Sequence, residues 1–388
     1  MTLSMVKEIK SFKDRFHNDS DSVNVDLQRP INSIYFGGGT PSLAKIGTLV
    51  EIVQTIKNCY PNFNENQCEI TLEVNPDQLQ QGEEKFITLL KDFKRFVGVN
   101  RLSLGIQSLN DTDLQFLGRT HSSEQSVKSL HLSQTLFDRV SFDLIYARHS
   151  KQTVDQWREE LTKALKLVNQ AQGGHMSLYQ LTIEQGTNFH KRINNLQMKS
   201  KNIIPPNDDL STDLYEETQR VTSDLGFPQY EVSSFASSPH HQSRHNLNYW
   251  RGGDYIGIGP GACSRITLPS NPNSFTTKFQ GRNILHPKDW MDKLKVSPLS
   301  LDPLESKDLS TQEIIQELLL MGLRTLEGVN LDTFNYFSNN QPISTFVNQK
   351  YLDQFLHDQL LTIENNNLKP TPKSLILIDQ ILNKLLIR

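Results

Sequence analysis

FGGGTPS, residues 36–42, closes the apolar run SIYF with three consecutive glycines, a threonine and a proline. The glycines strip every side chain from the top of a strand, so backbone N–H and C=O groups stand bare for a tight turn or for close approach of a ligand. Pro41 then fits the first position of a helix. The run is neither G-x-G-x-x-G nor a phosphate-binding loop with its lysine, which sets aside the dinucleotide and P-loop readings.

Outward from this run the chain alternates. Strands are predicted to end at Phe36 and to cover 68–74 (CEITLEV), 101–107 (RLSLGIQ), 139–146 (RVSFDLIY) and 175–184 (HMSLYQLTIE). Helical periodicity fills the gaps at 42–57, 83–96 and 154–168, the last opened by a capping box of Thr153 and Gln156. Strand, helix, strand at this spacing implies parallel strands with right-handed crossovers. Glu73, Gln107, Asp143 and Glu184 each interrupt an apolar run near its C-terminal end, where (β/α) barrels carry ligand-binding side chains. The spacing allows a doubly wound sheet or a (β/α) barrel, and these polar strand ends make an open α/β barrel the better reading.

Beyond it, a helix is predicted at about 209–225 after Pro205 and Pro206, then a sixth strand at 229–235 (QYEVSSF), then the dense stretch PHHQSRHNLNYWRGGDYIGIGPGACS from Pro239 to Ser264. Residues 265–310 are polar and Pro-interrupted and read as a linker with one short helix around Trp290. From Thr311 an apolar helix, further helices, a hairpin turning at Asn365–Asn367 and a closing helix form a helical, winged-helix-like domain. The expected organisation is a remnant helix and linker at 1–30, a barrel at 31–264, a linker at 265–310 and a C-terminal domain at 311–388.

Composition narrows the partners. The 388 residues carry 40 Lys and Arg against 43 Asp and Glu, a net charge of -3 that favours neither nucleic acid nor an anionic membrane and leaves a small or apolar partner. Apolar runs are short, as at 318–321, far from the ~18 residues of a membrane span. The N-terminus has neither a signal core nor an Arg-rich transit pattern. Cys59, Cys68 and Cys263 are too widely spaced for a thiolate cluster or zinc site and read as small apolar residues of a reducing compartment.

Taken in order, GGGTPS, LEVNPD, SLGIQS, LGRTH and FDLIY resemble the HemN/HemW group of radical S-adenosylmethionine (SAM) proteins, from Ile31 to Arg388. The resemblance implies a partial (β/α)6 radical SAM barrel lacking its first strand, in which Gly38, Gly39 and Thr40 meet the methionyl part of SAM and Glu73, Gln107, Arg119 and Asp143 surround the cofactor. Those residue types suit it: carboxylates and amides bond hydroxyls and an ammonium, and an arginine pairs with a carboxylate. One departure stands in the loop after FDLIY, where the group has Gly-Leu-Pro and this chain has Ala147, Arg148 and His149.

HNLNYW, 245–250, matches the HNxxYW signature of the heme-chaperone branch, HemW. Heme has an iron suited to an axial imidazole and a flat face suited to aromatic contact, so the resemblance points to His245 as iron ligand beside Tyr249 and Trp250. His240 and His241 offer either a second imidazole or a solvated turn.

The group's CxxxCxxC loop, which holds a [4Fe–4S] cluster, has no counterpart here, and residues 1–16 look like the helix that follows it. The expectation is a chain starting at a downstream methionine, without the first strand and cluster loop, and with no cluster chemistry of its own. The alternating segment SVNVDL, with Val23, Val25 and Leu27, is a candidate cover for the exposed strand edge. The resemblance implies a heme chaperone acting on heme-accepting proteins, compatible with a dimer, and mitochondrial in a eukaryote or otherwise cytoplasmic. Its alternatives are an oxygen-independent coproporphyrinogen III oxidase, an enzyme of porphyrin biosynthesis, and a clusterless binding scaffold.

Overall fold

The alternation of apolar runs and amphipathic segments is realised in a computed structural model that describes residues 1–17, 30–168, 173–193, 206–268 and 276–387. SVNVDL and Pro205 lie outside the described residues. Chain contacts divide the molecule into two units, Tyr35–Ala44 with Glu69–Ser243, and Met1–Ile34 with Lys45–Cys68 and Arg244–Arg388. This division cuts across the boundaries expected from sequence, since 244–264 falls with the C-terminal residues.

The first unit is built on a mixed sheet. Its strands are β1 (Ser33–Phe36, which enters the unit at Tyr35), β2 (Glu69–Val74), β3 (Arg101–Gln107), β4 (Arg139–Tyr146), β5 (His175–Gln180), β6 (Gln229–Glu231) and β7 (Ser234–Ala236), in the order β1-β2-β3-β4-β5-β7-β6. Strands β2 to β5 pair in parallel, as the crossover spacing requires. The α/β half-barrel expected from the sequence is present.

Two sequence expectations need correction here. The stretch 229–235 is a hairpin, β6 and β7, with β7 antiparallel to β5, because the chain reverses at Val232 and Ser233. Strand β5 ends at Gln180, which leaves Glu184 in an exposed loop and outside the row of strand-end carboxylates.

Leu72, Leu102, Leu104, Leu144 and Leu178 are buried in the sheet, and the helix Val154–Leu167 covers it through Trp157. That indole stacks on Tyr146 at 5.4 Å and donates from Nε1 to Thr218 Oγ1 at 2.8 Å, so its polar atom is satisfied in the core.

In the second unit the helix α1 (Thr2–His17) packs beside α2 (Ile46–Cys59), and the hydroxyls of Thr2 and Thr48 meet at 3.0 Å. Ile9 and Phe12 give α1 its buried face. The carboxylate of Glu8, fully buried, accepts from Gly259 N at 2.8 Å, Ser300 Oγ at 2.7 Å and Trp290 Nε1 at 3.0 Å. Burial pushes its pKa up, and those three donors act against that rise.

The stretch 265–310 is not an irregular linker. It carries β8 (Cys263–Leu268), β9 (Thr277–Arg282), the predicted helix around Trp290 (Pro287–Val296) and β10 (Lys307–Leu309), with the strands forming an antiparallel sheet in the order β10-β9-β8. Ile266, Phe279 and Leu299 pack with Phe12 in one core. Trp290, Leu294 and Leu309 of the same stretch are buried as well, so its scattered apolar residues fold it together with α1.

The C-terminal helices Thr311–Gly322, Leu331–Ser338, Gln349–His357 and Ile378–Leu385 accompany a small sheet ordered β11 (Val329–Asn330), β13 (Asn367–Pro370), β12 (Leu361–Glu364). Asn365 and Asn366 take φ of 49° and 62°, the two left-handed positions a tight hairpin turn needs. Helices with a small hairpin sheet match the winged-helix-like arrangement expected.

Candidate functional site

At the end of β1, a side chain on Gly37 would collide with Tyr35 and with Oε1 of Glu73. This is the physical reason a glycine follows SIYF, because the strand end and Glu73 share one narrow space. Gly38 sits at φ 110° and its N–H bonds the Glu73 carboxylate. A side chain at Gly38 or Gly39 would meet only open space, so beyond Gly37 the backbone faces a gap. Thr40 precedes the short helical turn Pro41–Leu43 without capping it through its side chain.

Glu73, near the end of β2, also accepts from the hydroxyl of Tyr35 at 2.6 Å. Burial lifts its pKa against these two bonds. Asp143, on β4, is lifted to about 7, by burial first and by the charge of Glu73 second. Against that rise work a hydrogen bond from Ser177, its register partner on β5, and the charges of Arg101 and Arg119. Burial and the Glu73 carboxylate push Tyr35 up, while burial and Asp143 do the same to Tyr179. The C-terminal ends of β1, β2, β4 and β5 therefore converge on two carboxylates with little cationic compensation, a set suited to hydrogen-bond donors and positive charge on a ligand.

Gln107 ends β3 at φ 70°, where the β3–β4 register slips, and is buried. A left-handed glutamine between strands is a rare conformation, and such residues gather at binding sites. Arg119 is exposed, and of the other predicted residues its charge is felt by Asp143. The structure thus links Gly38 to Glu73, Glu73 to Asp143 and Asp143 to Arg119, and records no such link for Thr40 or Gly39 among the described residues. Sequence reading missed Tyr35, Ser177 and Tyr179. The alternation of β1 and β5 carried the signal, since Tyr35 and Tyr179 are polar tips on otherwise apolar strands.

The departure after FDLIY has a definite structure. Ala147 takes φ 53°, a left-handed position that a glycine would hold without strain. Arg148 is buried and its guanidinium pairs with Asp113 at 2.9 Å and with Glu160, while Nη1 also donates to Ser108 Oγ at 2.9 Å and to the Ile145 carbonyl at 3.1 Å. Glu160 in turn accepts from Ser108 Oγ at 2.6 Å and Leu109 N at 2.7 Å. His149 Nε2 lies 3.1 Å from Asp113 Oδ1. The arginine closes a polar core beneath the turn that follows Gln107.

In the other unit, HNLNYW forms the helix Arg244–Trp250. The imidazole of His245 meets the ring of Tyr249 edge-on at 4.6 Å, and Tyr249 meets Tyr255 in the same way at 4.5 Å. Tyr255 is raised to about 12, chiefly by burial. Trp250 has a buried Nε1 with no acceptor among the described residues. The histidine and its aromatic neighbours are thus a half-buried stack, and Tyr255 is the member the motif did not name. His240 and His241 form a short turn, Pro239–His241, within the sheet unit; His241 is buried, which corrects the solvated-turn reading for that residue.

A [4Fe–4S] cluster does not fit the thiols present. Cys59 and Cys68 are buried, Cys263 is exposed, and the described residues contain no group of three or more His, Cys, Asp or Glu side chains able to hold a metal ion.

A half-barrel whose glycine strand end bonds Glu73 is the arrangement expected of the radical SAM class. Comparison with known proteins agrees. The Radical SAM superfamily model matches residues 23–167 and the HemN C-terminal domain model matches 309–377. A relative from Dictyostelium discoideum, radical S-adenosyl methionine domain-containing protein 1, mitochondrial, is 46% identical over all of this chain and 87% of its own length. The heme chaperone HemW of Escherichia coli is 34% identical over 71% of this chain and 65% of its own. The solved coproporphyrinogen III oxidase HemN of E. coli superposes with a TM-score of 0.73 over 98% of this chain and 81% of that one, at 18% identity, a likeness of fold. The chain belongs to the HemW/HemN-like family of radical SAM proteins.

Proposed function

We propose that this chain is a HemW-like heme chaperone, binding heme on the helix Arg244–Trp250 and passing it to heme-accepting proteins. The observation that carries the reading is the edge-on stack of His245, Tyr249 and Tyr255, an imidazole held against flat apolar rings in a half-buried position. The HemW relatives named as heme chaperones support it. Heme would supply an iron that takes a neutral imidazole nitrogen. His245 would furnish that nitrogen, Tyr249 would hold the ring's orientation, and Tyr249 with Trp250 would offer apolar contact to the macrocycle. Mitochondrial residence belongs to the same proposal, supported by the relatives named mitochondrial.

Titration of the purified chain with heme tests the reading. A Soret shift that saturates at one equivalent is expected, with affinity reduced at least tenfold in His245→Ala. An unchanged titration in the variant removes His245 from the site.

The paired carboxylates support a second reading, SAM binding at the strand ends. Glu73 and Asp143 would accept bonds from ribose hydroxyls or the ammonium, Arg119 would pair with the methionyl carboxylate, Gln107 would contribute its amide, and Gly38, Gly39 and Thr40 would admit the methionyl chain along bare backbone. What favours it is the placement of Glu73 and Asp143 at neighbouring strand ends beside the bare backbone of Gly38 and Gly39, with burial raising both carboxylates.

A further inference from the structure

Arg119 is exposed and follows the helix Asp111–Leu117, which is capped by Gly118 in the left-handed region. A long side chain at a helix exit ordinarily samples many rotamers, at up to about 2 kcal/mol of entropy. The two residues after it are unusually well held. Thr120 Oγ1 donates to Asp77 Oδ2 at 2.6 Å, and its carbonyl accepts from Gln80 Nε2 at 3.2 Å. The ring of His121, buried, places Nδ1 2.9 Å from Asp77 Oδ1 and Nε2 3.1 Å from the Ile106 carbonyl oxygen.

Each anchor lies near the end of a strand that carries a site residue. Asp77 is in the short helical turn Pro76–Gln81 that follows β2 and Glu73, and Asn75 fixes that turn by accepting from Asp77 N at 3.3 Å. Ile106 is the residue before Gln107 on β3. The two motifs LEVNPD and LGRTH are therefore halves of one contact, in which the aspartate of the first grips the threonine and histidine of the second.

We propose that Asp77, Thr120 and His121 form a latch whose role is to position Arg119 over the C-terminal ends of β2 and β3, where its charge faces Asp143. The latch residues act through Arg119 and are positioning residues. The proposal rests on reading the strand ends as a binding site and assigns the orientation of that site's cationic group.

The test reads Arg119 through Asp143, with no ligand required. Asp143 is flanked by Glu73 on β2, Arg101 on β3, Arg119 and the neutral hydroxyls of Tyr35 and Tyr179, so its titration reports the loss of a charge at Glu73, Arg101 or Arg119. Carbon-13 carboxyl NMR of the full chain, with aspartate labelled and Asp143 assigned through Asp143→Asn, gives its midpoint. Arg119→Met is expected to raise that midpoint by about 0.3 of a pH unit, the scale of a screened surface charge. Thr120→Val, which changes no charge, should raise it by a similar amount, Thr120→Ser should restore the native value, and Thr120→Val should add nothing in the Arg119→Met background.

A second arm measures S-adenosylhomocysteine affinity by calorimetry, where Thr120→Val and Arg119→Met should lose the same factor, about fivefold. If Thr120→Val lowers the melting temperature but leaves the Asp143 midpoint at its native value, the latch is a fold element alone and the proposal fails. Absence of S-adenosylhomocysteine binding by the native chain would instead sink the SAM reading, with the latch still decided by the titration.

Discussion

Two pairs of carboxylates lie at the C-terminal side of the same sheet and differ in their counter-charge. Asp113 and Glu160 share the guanidinium of Arg148 and collect donors from Ser108 and Leu109, and they form a closed polar core. Glu73 and Asp143 accept from hydroxyls and one backbone amide, Arg101 and Arg119 act on Asp143 through charge, and burial still raises both. The first pair is answered from within the chain and holds a turn in place. The second is left short of positive charge, and a group left so is available to a ligand.

The comparison breaks most visibly at Arg148. Arg148→Met leaves two buried carboxylates facing each other without their cation, and a loss of about 3–5 kcal/mol is expected in the urea unfolding free energy. Adding Asp113→Asn and Glu160→Gln should recover more than half of it. A loss below about 1 kcal/mol would mean the closed pair is not closed.

At the open pair, the sign of the pH dependence is the measurement. The folded pKa of Asp143, about 7, exceeds its ordinary value of 3.8, so between these values the folded state binds more protons than the unfolded one. The contribution of Asp143 to stability therefore falls as pH rises from about 4 to about 7. Asp143→Asn removes that dependence and should gain on the native chain by about 1–3 kcal/mol across the window. Parallel stability curves for the two proteins would show that Asp143 is compensated after all.

The smallest effect is expected at Tyr35→Phe, which takes one donor from Glu73 and should cost about 1 kcal/mol. The same variant should raise the midpoint of Glu73, whose hydrogen bond from Tyr35 opposes its rise. An unchanged Glu73 midpoint, followed by carbon-13 NMR of labelled glutamate, would remove Tyr35 from the set.

Much of the open pair was legible in the sequence because it follows period and position. Glu73 and Asp143 interrupt apolar strands near their ends, and β3 and β4 run over the residues their apolar pattern marks. The closed pair was not legible. Asp113 and Glu160 sit on polar helix faces like many others, and only the folded chain brings them to an arginine that the sequence marked merely as a departure from Gly-Leu-Pro.

Period also fails for short strands. Three residues are too few to show alternation, so β6 and β7 read as one strand, and β8 and β9 were hidden in a polar stretch whose apolar partner, Phe12, lies more than 250 positions earlier. At the helix Arg244–Trp250, the motif gave His245, Tyr249 and Trp250, whereas Tyr255 joined the stack only through the loop that follows.

Glu8 carries a consequence for the order in which the chain acquires its structure. Its three donors lie at residues 259, 290 and 300, so the first helix cannot be sealed until the last of them is available. At a synthesis rate of about 5–20 residues per second, the 292 positions between Glu8 and Ser300 correspond to roughly 15–60 s on the ribosome. Throughout that interval Phe12 lacks the core that Ile266, Phe279 and Leu299 later build around it.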